Sequence, residues 1–191
     1  MKNYFLILLA ISCALAFKSN NGGLKEGTIA PAFTMKDVNG NDVKLSDYKG
    51  KVILVDFWAS WCKQCRLESP KLVKAYQKYR TTKFENGEGF EIISISLDDE
   101  ATDWKNAIAQ DGYTWINVSE GKKWDVEIAK LYKVTSLPTN YLIDGNGNGS
   151  DPGTGHRVQE LPARQGLGQQ VLRLSVEWWM SSRALLGEVN A

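Results

Sequence analysis

Two cysteines three positions apart, in the run Trp61-Cys62-Lys63-Gln64-Cys65, are the residues best equipped for chemistry in this chain. Such a pair can close a disulfide or hold a thiophilic metal. The residues before it favour the first. Val52-Ile53-Leu54-Val55-Asp56-Phe57-Trp58 reads as a buried strand, and the residues after Cys62 have helical spacing. Cys62 is then expected at a helix N-terminus, where backbone N–H groups and the positive end of the macrodipole favour a thiolate. That thiolate can attack a substrate disulfide. Cys65, one turn on and on the same face, can displace the reduced product from the mixed disulfide. Spacing of this kind also lets the pair itself close.

Asp56 is the one carboxylate in an otherwise apolar strand. Desolvation there should raise its pKa toward a value useful for proton transfer. A metal-delivery role for Cys62 and Cys65 is the alternative from another class, since paired thiolates suit Cu(I). Two ligands need others, and no Met or His cluster lies near the motif; His156, the only histidine, stands far off and reads as a surface residue. No metal and no organic cofactor are therefore expected.

The positioning elements follow from the rest of the chain. Its 191 residues suffice for one domain with a sizeable core. With 23 basic and 22 acidic side chains, charge gives no argument for a nucleic-acid partner. The start, Met1-Lys2-Asn3, then an apolar run from Tyr4 to Leu15 and the small-residue site Ala14-Leu15-Ala16, reads as an export signal over 1–16, too short to span a membrane comfortably. Cys13 opens a second route, a lipoprotein signal ending before it, and only that route implies membrane attachment. The apolar residues after Cys13 suit lipoprotein processing poorly, so cleavage after Ala16 is favoured. Residues 17–26 read as a flexible leader, and the mature domain is expected over 27–144.

Within that span, Phe33 to Leu45 alternates around Asn39-Gly40-Asn41, a hairpin signal. A helix is expected from Lys63 to about Arg80, with Leu67, Leu72, Val73, Tyr76 and Tyr79 at helical spacing and Pro70 expected to kink it. Then come a strand over 90–97, a helix opened by Asp98-Asp99-Glu100 that carries Trp104, Ala107 and Ile108, a strand near 115–118, a helix over about 125–132 and a strand over 139–143. Strands alternating with helices indicate an α/β sheet with helices on both faces.

Together, Gly27, Ala30-Pro31-x-Phe33, Asn39-Gly40, Leu45-Ser46-Asp47-Tyr48-x-Gly50-Lys51, Val55 through Cys65 and Leu137-Pro138-Thr139 resemble the exported thioredoxin-like proteins of the TlpA/ResA type, with an early pattern like that of the AhpC/TSA proteins. The resemblance implies a thioredoxin fold, α/β with a central mixed sheet flanked by helices, an N-terminal β-hairpin, and an inserted strand and helix within 84–118. It implies a thiol:disulfide oxidoreductase in the periplasm or cell envelope, whose partners are disulfide-containing envelope proteins and an upstream thiol electron donor. Cys62 would be the exposed nucleophile and Cys65 the buried resolving thiol. Asp56 would be the buried acid beneath them, and Glu68 a second acid near the cysteines. Pro138 would be a cis-proline presenting the Leu137 backbone to substrate. Trp58 and Trp61 would shield the sulfurs and form the contact surface, with Lys63 and Gln64 beside them setting the redox poise. Lys63 favours the thiolate, and the absence of a histidine between the cysteines argues for a reductant over a strong oxidant. A peroxidase of the peroxiredoxin type would need Thr or Ser three residues before Cys62, where this chain has Ala59.

The resemblance ends near Asp144. Residues 145–191 mix Gly, Asn, Arg and Gln with Trp178-Trp179, and only 169–186 has a helical pattern. The family's closing strand and helix are hard to find here, and the change after Gly147 resembles a reading-frame shift.

Overall fold

The computed structural model describes Leu24 and residues 27–149. The export signal with Cys13, most of the leader, His156 and the segment 150–191 lie outside the described residues.

The chain opens with a hairpin, β1 (Thr34–Lys36) antiparallel to β2 (Asp42–Lys44). Met35 and Val43 are buried opposite each other between exposed neighbours, as the alternating sequence requires. The turn is held by the Asp37 carboxylate, which accepts the backbone N–H groups of Asn39 and Asn41, each at 2.8 Å. Gly40 supplies the positive φ of 84° that the turn needs.

Next comes β3 (Val52–Trp58), with all seven residues buried. α1 runs from Lys63 to Tyr79 and continues through Pro70. Its inner face is Cys65, Glu68, Ser69 and Leu72. That spacing turns Leu67 outward, 61% exposed, so the sequence assignment of Leu67 to the buried stripe is corrected. A small ribbon, β4 (Lys83–Phe84) with β5 (Gly87–Glu88), leads into β6 (Phe90–Ser96). α2 (Ala101–Asp111) ends at Gly112 in the left-handed conformation, φ 70°. After β7 (Ile116–Ser119) the expected helix over 125–132 divides into a 3₁₀ turn, Lys123–Asp125, and α3 (Glu127–Leu131), separated by the extended Val126. β8 (Thr139–Ile143) closes the order.

The four long strands form one mixed sheet in the order β7-β6-β3-β8, with β3, β6 and β7 parallel and β8 antiparallel to β3. Both parallel crossovers step the same way across the sheet. Because such crossovers are right-handed, α1 and α2 share one face. The pairing of Arg66 on α1 with Asp111 and Gln110 on α2 agrees. That face carries Leu54, Asp56 and Trp58, and the Trp58 ring lies 4.8 Å from Tyr113. On the other face Phe57 meets Tyr132 at 5.5 Å and Tyr141 at 6.3 Å. The Tyr132 hydroxyl donates to the Pro31 carbonyl at 2.9 Å, pinning the start of the domain to this second layer.

Both flanks of the sheet carry further backbone. The hairpin joins β7 through the bridge between Asp37 and Val118. Beyond β8 the Asp144 carboxylate accepts the N–H groups of Asn146 at 2.9 Å and Asn148 at 2.8 Å, and Gly149 bridges back to Ile143. Residues 145–149 thus belong to the folded domain rather than to an atypical tail; the Asp-Gly-Asn-Gly sequence forms a tight turn because Asp144 caps it and Gly147 takes a φ of 92°.

Candidate active site

Ala59, Ser60 and Trp61 connect β3 to α1, and this short loop is clamped from two sides. Asp98, 3% exposed, accepts the Ser60 N–H at 2.9 Å, the Ser60 hydroxyl at 2.6 Å and the Ser96 hydroxyl at 2.7 Å. The Arg66 guanidinium donates to the Ser60 carbonyl at 3.3 Å while paired with Asp111. Charge-assisted bonds of this kind fix the loop against both β6 and α1.

Cys62 is the N-cap of α1, with extended backbone, and its Sγ accepts the Cys65 N–H at 3.2 Å. The two cysteines form a disulfide, with Cα atoms 5.3 Å apart. The sequence reading made Cys62 the exposed thiol, yet it is 7% exposed against 4% for Cys65. In the bonded pair each sulfur covers the other, so the contrast between them is small. Around them Lys63 and Gln64 are exposed and Trp61 is 52% exposed, which leaves Trp61 on the surface as expected. Trp58 is not there. It is fully buried against Tyr113 because β3 directs it under α1 and α2, which corrects its assignment to the contact surface.

Asp56 lies on the face beneath α1, 4% exposed. Burial pushes its pKa up to about 7; the Ser94 hydroxyl, donating at 3.2 Å, pulls it down, and Glu68 pushes it up. Glu68 is itself buried on the inner face of α1, its Oε1 accepting from Gln64 Nε2 at 3.4 Å. It is therefore not an ordinary exposed helix residue. The Leu137–Pro138 bond is cis. Thr139 pairs with Phe57, so the register brings buried Pro138 and half-buried Leu137 to the end of β3 from which the loop to Cys62 departs.

The fold therefore gathers Asp56, Cys62, Cys65, Glu68, Leu137 and Pro138 at one end of the sheet. Sequence reasoning missed Ser94, Ser96, Asp98, Arg66, Tyr113 and Trp115. One signal was present. Ser94, Ser96 and Asp98 alternate with Ile93, Ile95 and Leu97, which is a polar face on a strand that is otherwise apolar.

Comparison with known proteins agrees with this geometry. Residues 27–148 match the AhpC/TSA family. The chain is 34% identical over 149 residues to the thiol-disulfide oxidoreductase ResA of Bacillus cereus, covering 74% of this chain and 80% of the relative. For ResA of Bacillus subtilis the identity is 30% over 147 residues, 74% of this chain and 77% of the relative. Among solved structures, the thioredoxin domain of a thiol-disulfide oxidoreductase from Bacteroides vulgatus is 33% identical with a TM-score of 0.61, covering 82% of this chain and 98% of that one. A thiol:disulfide interchange protein from Bacteroides sp. is 33% identical with a TM-score of 0.65, over 77% and 93% of the two chains. Between β6 and α3 the chain places α2 and β7, where an inserted strand and helix are expected over 84–118; β7 runs one residue past that range, to Ser119. The chain belongs to the AhpC/TSA family, within it to the thioredoxin-like thiol-disulfide oxidoreductases that resemble ResA.

Proposed function

We propose that the protein reduces disulfides in exported proteins of the cell envelope and is itself re-reduced by an upstream thiol donor. In the reduced form the Cys62 thiolate attacks one sulfur of a substrate disulfide. The substrate S–S bond breaks, a mixed disulfide forms, and the departing substrate thiolate takes up a proton. Cys65 then gives its proton to the Asp56 carboxylate, and its thiolate attacks the Cys62 sulfur. The second substrate thiolate leaves, and the two electrons lost by the cysteine pair have reduced the substrate. The Cys62–Cys65 disulfide is the oxidised end of that cycle.

The observation that carries this reading is the position of the pair: a disulfide at a helix N-terminus directly after a buried strand that holds Asp56 with its pKa near 7. Trp61, Lys63, Gln64, Leu137 and Pro138 form the surface on which an extended substrate segment lies. Glu68 adjusts the proton affinity of Asp56. The lack of a histidine between the cysteines supports the reducing direction, while Lys63 favours the attacking Cys62 thiolate. Export rests on the features of residues 1–16, with membrane attachment only through a lipidated Cys13. Among the described residues no group of three or more His, Cys, Asp and Glu side chains could hold a metal, and Ala59 offers no hydroxyl to orient a peroxide, so thiol exchange is favoured over copper delivery and peroxidase chemistry.

The direct test is Cys65→Ser, reduced and mixed with oxidised insulin. A mixed disulfide through Cys62 should accumulate and dissolve in dithiothreitol. Failure to form that adduct, or its equal formation by Cys62→Ser through Cys65, contradicts the assigned roles.

A further inference from the structure

The register of the sheet lines up four polar side chains. Asn117 of β7 stands opposite Ser94 of β6, Ser94 opposite Asp56 of β3, and Asp56 opposite Asn140 of β8. Their exposures are 4, 0, 4 and 1%, in the order named, on a face that also carries Leu54, Trp58, Ile92, Ser96 and Leu142. Polar groups are costly in such a place unless hydrogen-bonded, so the direction of each bond matters.

One residue outside the row sets that direction. Trp115 Nε1 lies 2.8 Å from Ser94 Oγ. An indole nitrogen only donates. Ser94 must therefore accept with its oxygen, and its own proton points along the remaining contact, 3.2 Å to Asp56 Oδ2. Trp115 is 6% exposed, its ring stacked on Tyr113 at 4.4 Å and edge-on to Tyr76 at 5.6 Å, so it has no room to turn away.

We infer that Trp115 and Ser94 are positioning residues of the exchange reaction, a one-way donor relay that holds Asp56 as a carboxylate ready to receive the Cys65 proton. The inference rests on the reading of Asp56 as that acceptor. A protonated Asp56 has to find an acceptor of its own while the Ser94 proton still faces it, so the relay opposes protonation. The other groups around Asp56 do not. Glu68 from α1 is an acid and pushes the other way. Tyr113, after α2, is held neutral by burial and by the Asp56 charge, with its hydroxyl 2.6 Å from Ser69. Asn140 and Asn117 carry no charge, and the disulfide does not titrate. Ser94 is thus the group that favours the charged Asp56 carboxylate against burial and Glu68.

The test follows the Asp56 carboxyl by carbon-13 NMR titration in the oxidised protein, for the wild type, Ser94→Ala, Ser94→Thr and Trp115→Phe. Ser94→Ala should raise the midpoint by roughly one to two pH units, the size of a hydrogen bond to a charged group. Trp115→Phe, which keeps the ring stacking, should raise it by less, and Ser94→Thr should keep the wild-type value. In a Ser94→Ala background Trp115→Phe should have no further effect, because its influence passes through Ser94. The pH profile of insulin reduction should move up in parallel. A wild-type midpoint in folded Ser94→Ala or Trp115→Phe overturns the relay, as does an undiminished Trp115→Phe shift without Ser94. Midpoints that move while the activity profile stays put leave the relay standing and overturn Asp56 as the acceptor. If Ser94→Ala does not fold, Trp115→Phe decides alone by the presence or absence of an upward shift.

Discussion

Replacing Asp56 by asparagine should make the oxidised protein more stable, and by an amount that depends on pH. The carboxyl has an ordinary value of 3.8 and is pushed up to about 7 in the folded chain, chiefly by burial. Between those values the native state holds a proton that the unfolded state has released. Native protein therefore binds more protons, and stability falls as pH rises across this window. The stabilisation from the protonated carboxyl is complete below 3.8 and is lost as pH passes through about 7. A difference of about three pH units corresponds to about 4 kcal/mol. Against a total of about 5–15 kcal/mol for a domain of this kind, that is a large share. Asparagine has nearly the same shape and no charge to desolvate. Urea unfolding of both oxidised proteins at pH 4, 6 and 9 measures the effect, since the disulfided cysteines contribute no titration of their own. The gap between variant and wild type should widen by about 4 kcal/mol from pH 4 to pH 9. A gap that stays constant with pH refutes the reasoning, whatever its size, because it shows that Asp56 carries no excess proton in the native state.

Three further outcomes are expected. Glu68→Gln removes the buried acid that pushes Asp56 upward, so the Asp56 titration should move to lower pH, followed by carboxyl NMR in the oxidised protein; an upward move contradicts the assigned contact. Arg66→Ala breaks the tie between the Ser60 carbonyl, Asp111 and Gln110 and should cost about 1–3 kcal/mol in urea unfolding, because Asp111 is left largely buried without its partner. Lys63→Ala should lower the reduction potential of the Cys62–Cys65 couple by roughly 10–20 mV, the effect of one exposed charge on the thiolate, measured against glutathione. A wild-type potential as high as about −120 mV, that of a strong oxidant, contradicts the reducing direction.

What the sequence disclosed was local. The unbroken apolar run of β3, the alternation of β1 and β2 about Gly40 and the cysteine spacing each carry their own physical signature within a few residues, and each reappears in the structure. Long-range relations were not legible. Asp98 reads as an acid suited to the start of α2, yet its carboxylate turns back to Ser60 and Ser96, which only the pairing of β6 with β3 explains. Leu67 and Glu68 are adjacent, and hydrophobicity alone puts the leucine inside. The rotation of α1 is set instead by Cys65 and Leu72, and that rotation buries Glu68. The partnership of Trp115, Ser94 and Asp56 spans three segments and could not be read before the register was known.

The Asp37 bridge to Val118 has a consequence for how the protein behaves at high concentration. An uncovered strand edge offers a ready template on which a second copy can pair, and parallel sheets are prone to this while folding. Here the hairpin closes over β7 on one flank, and the Gly149 bridge to Ile143 sits against β8 on the other. At those positions the backbone groups are already spent within the chain. A second copy therefore meets backbone already bridged within the chain at these positions, where it would otherwise add a strand to the sheet.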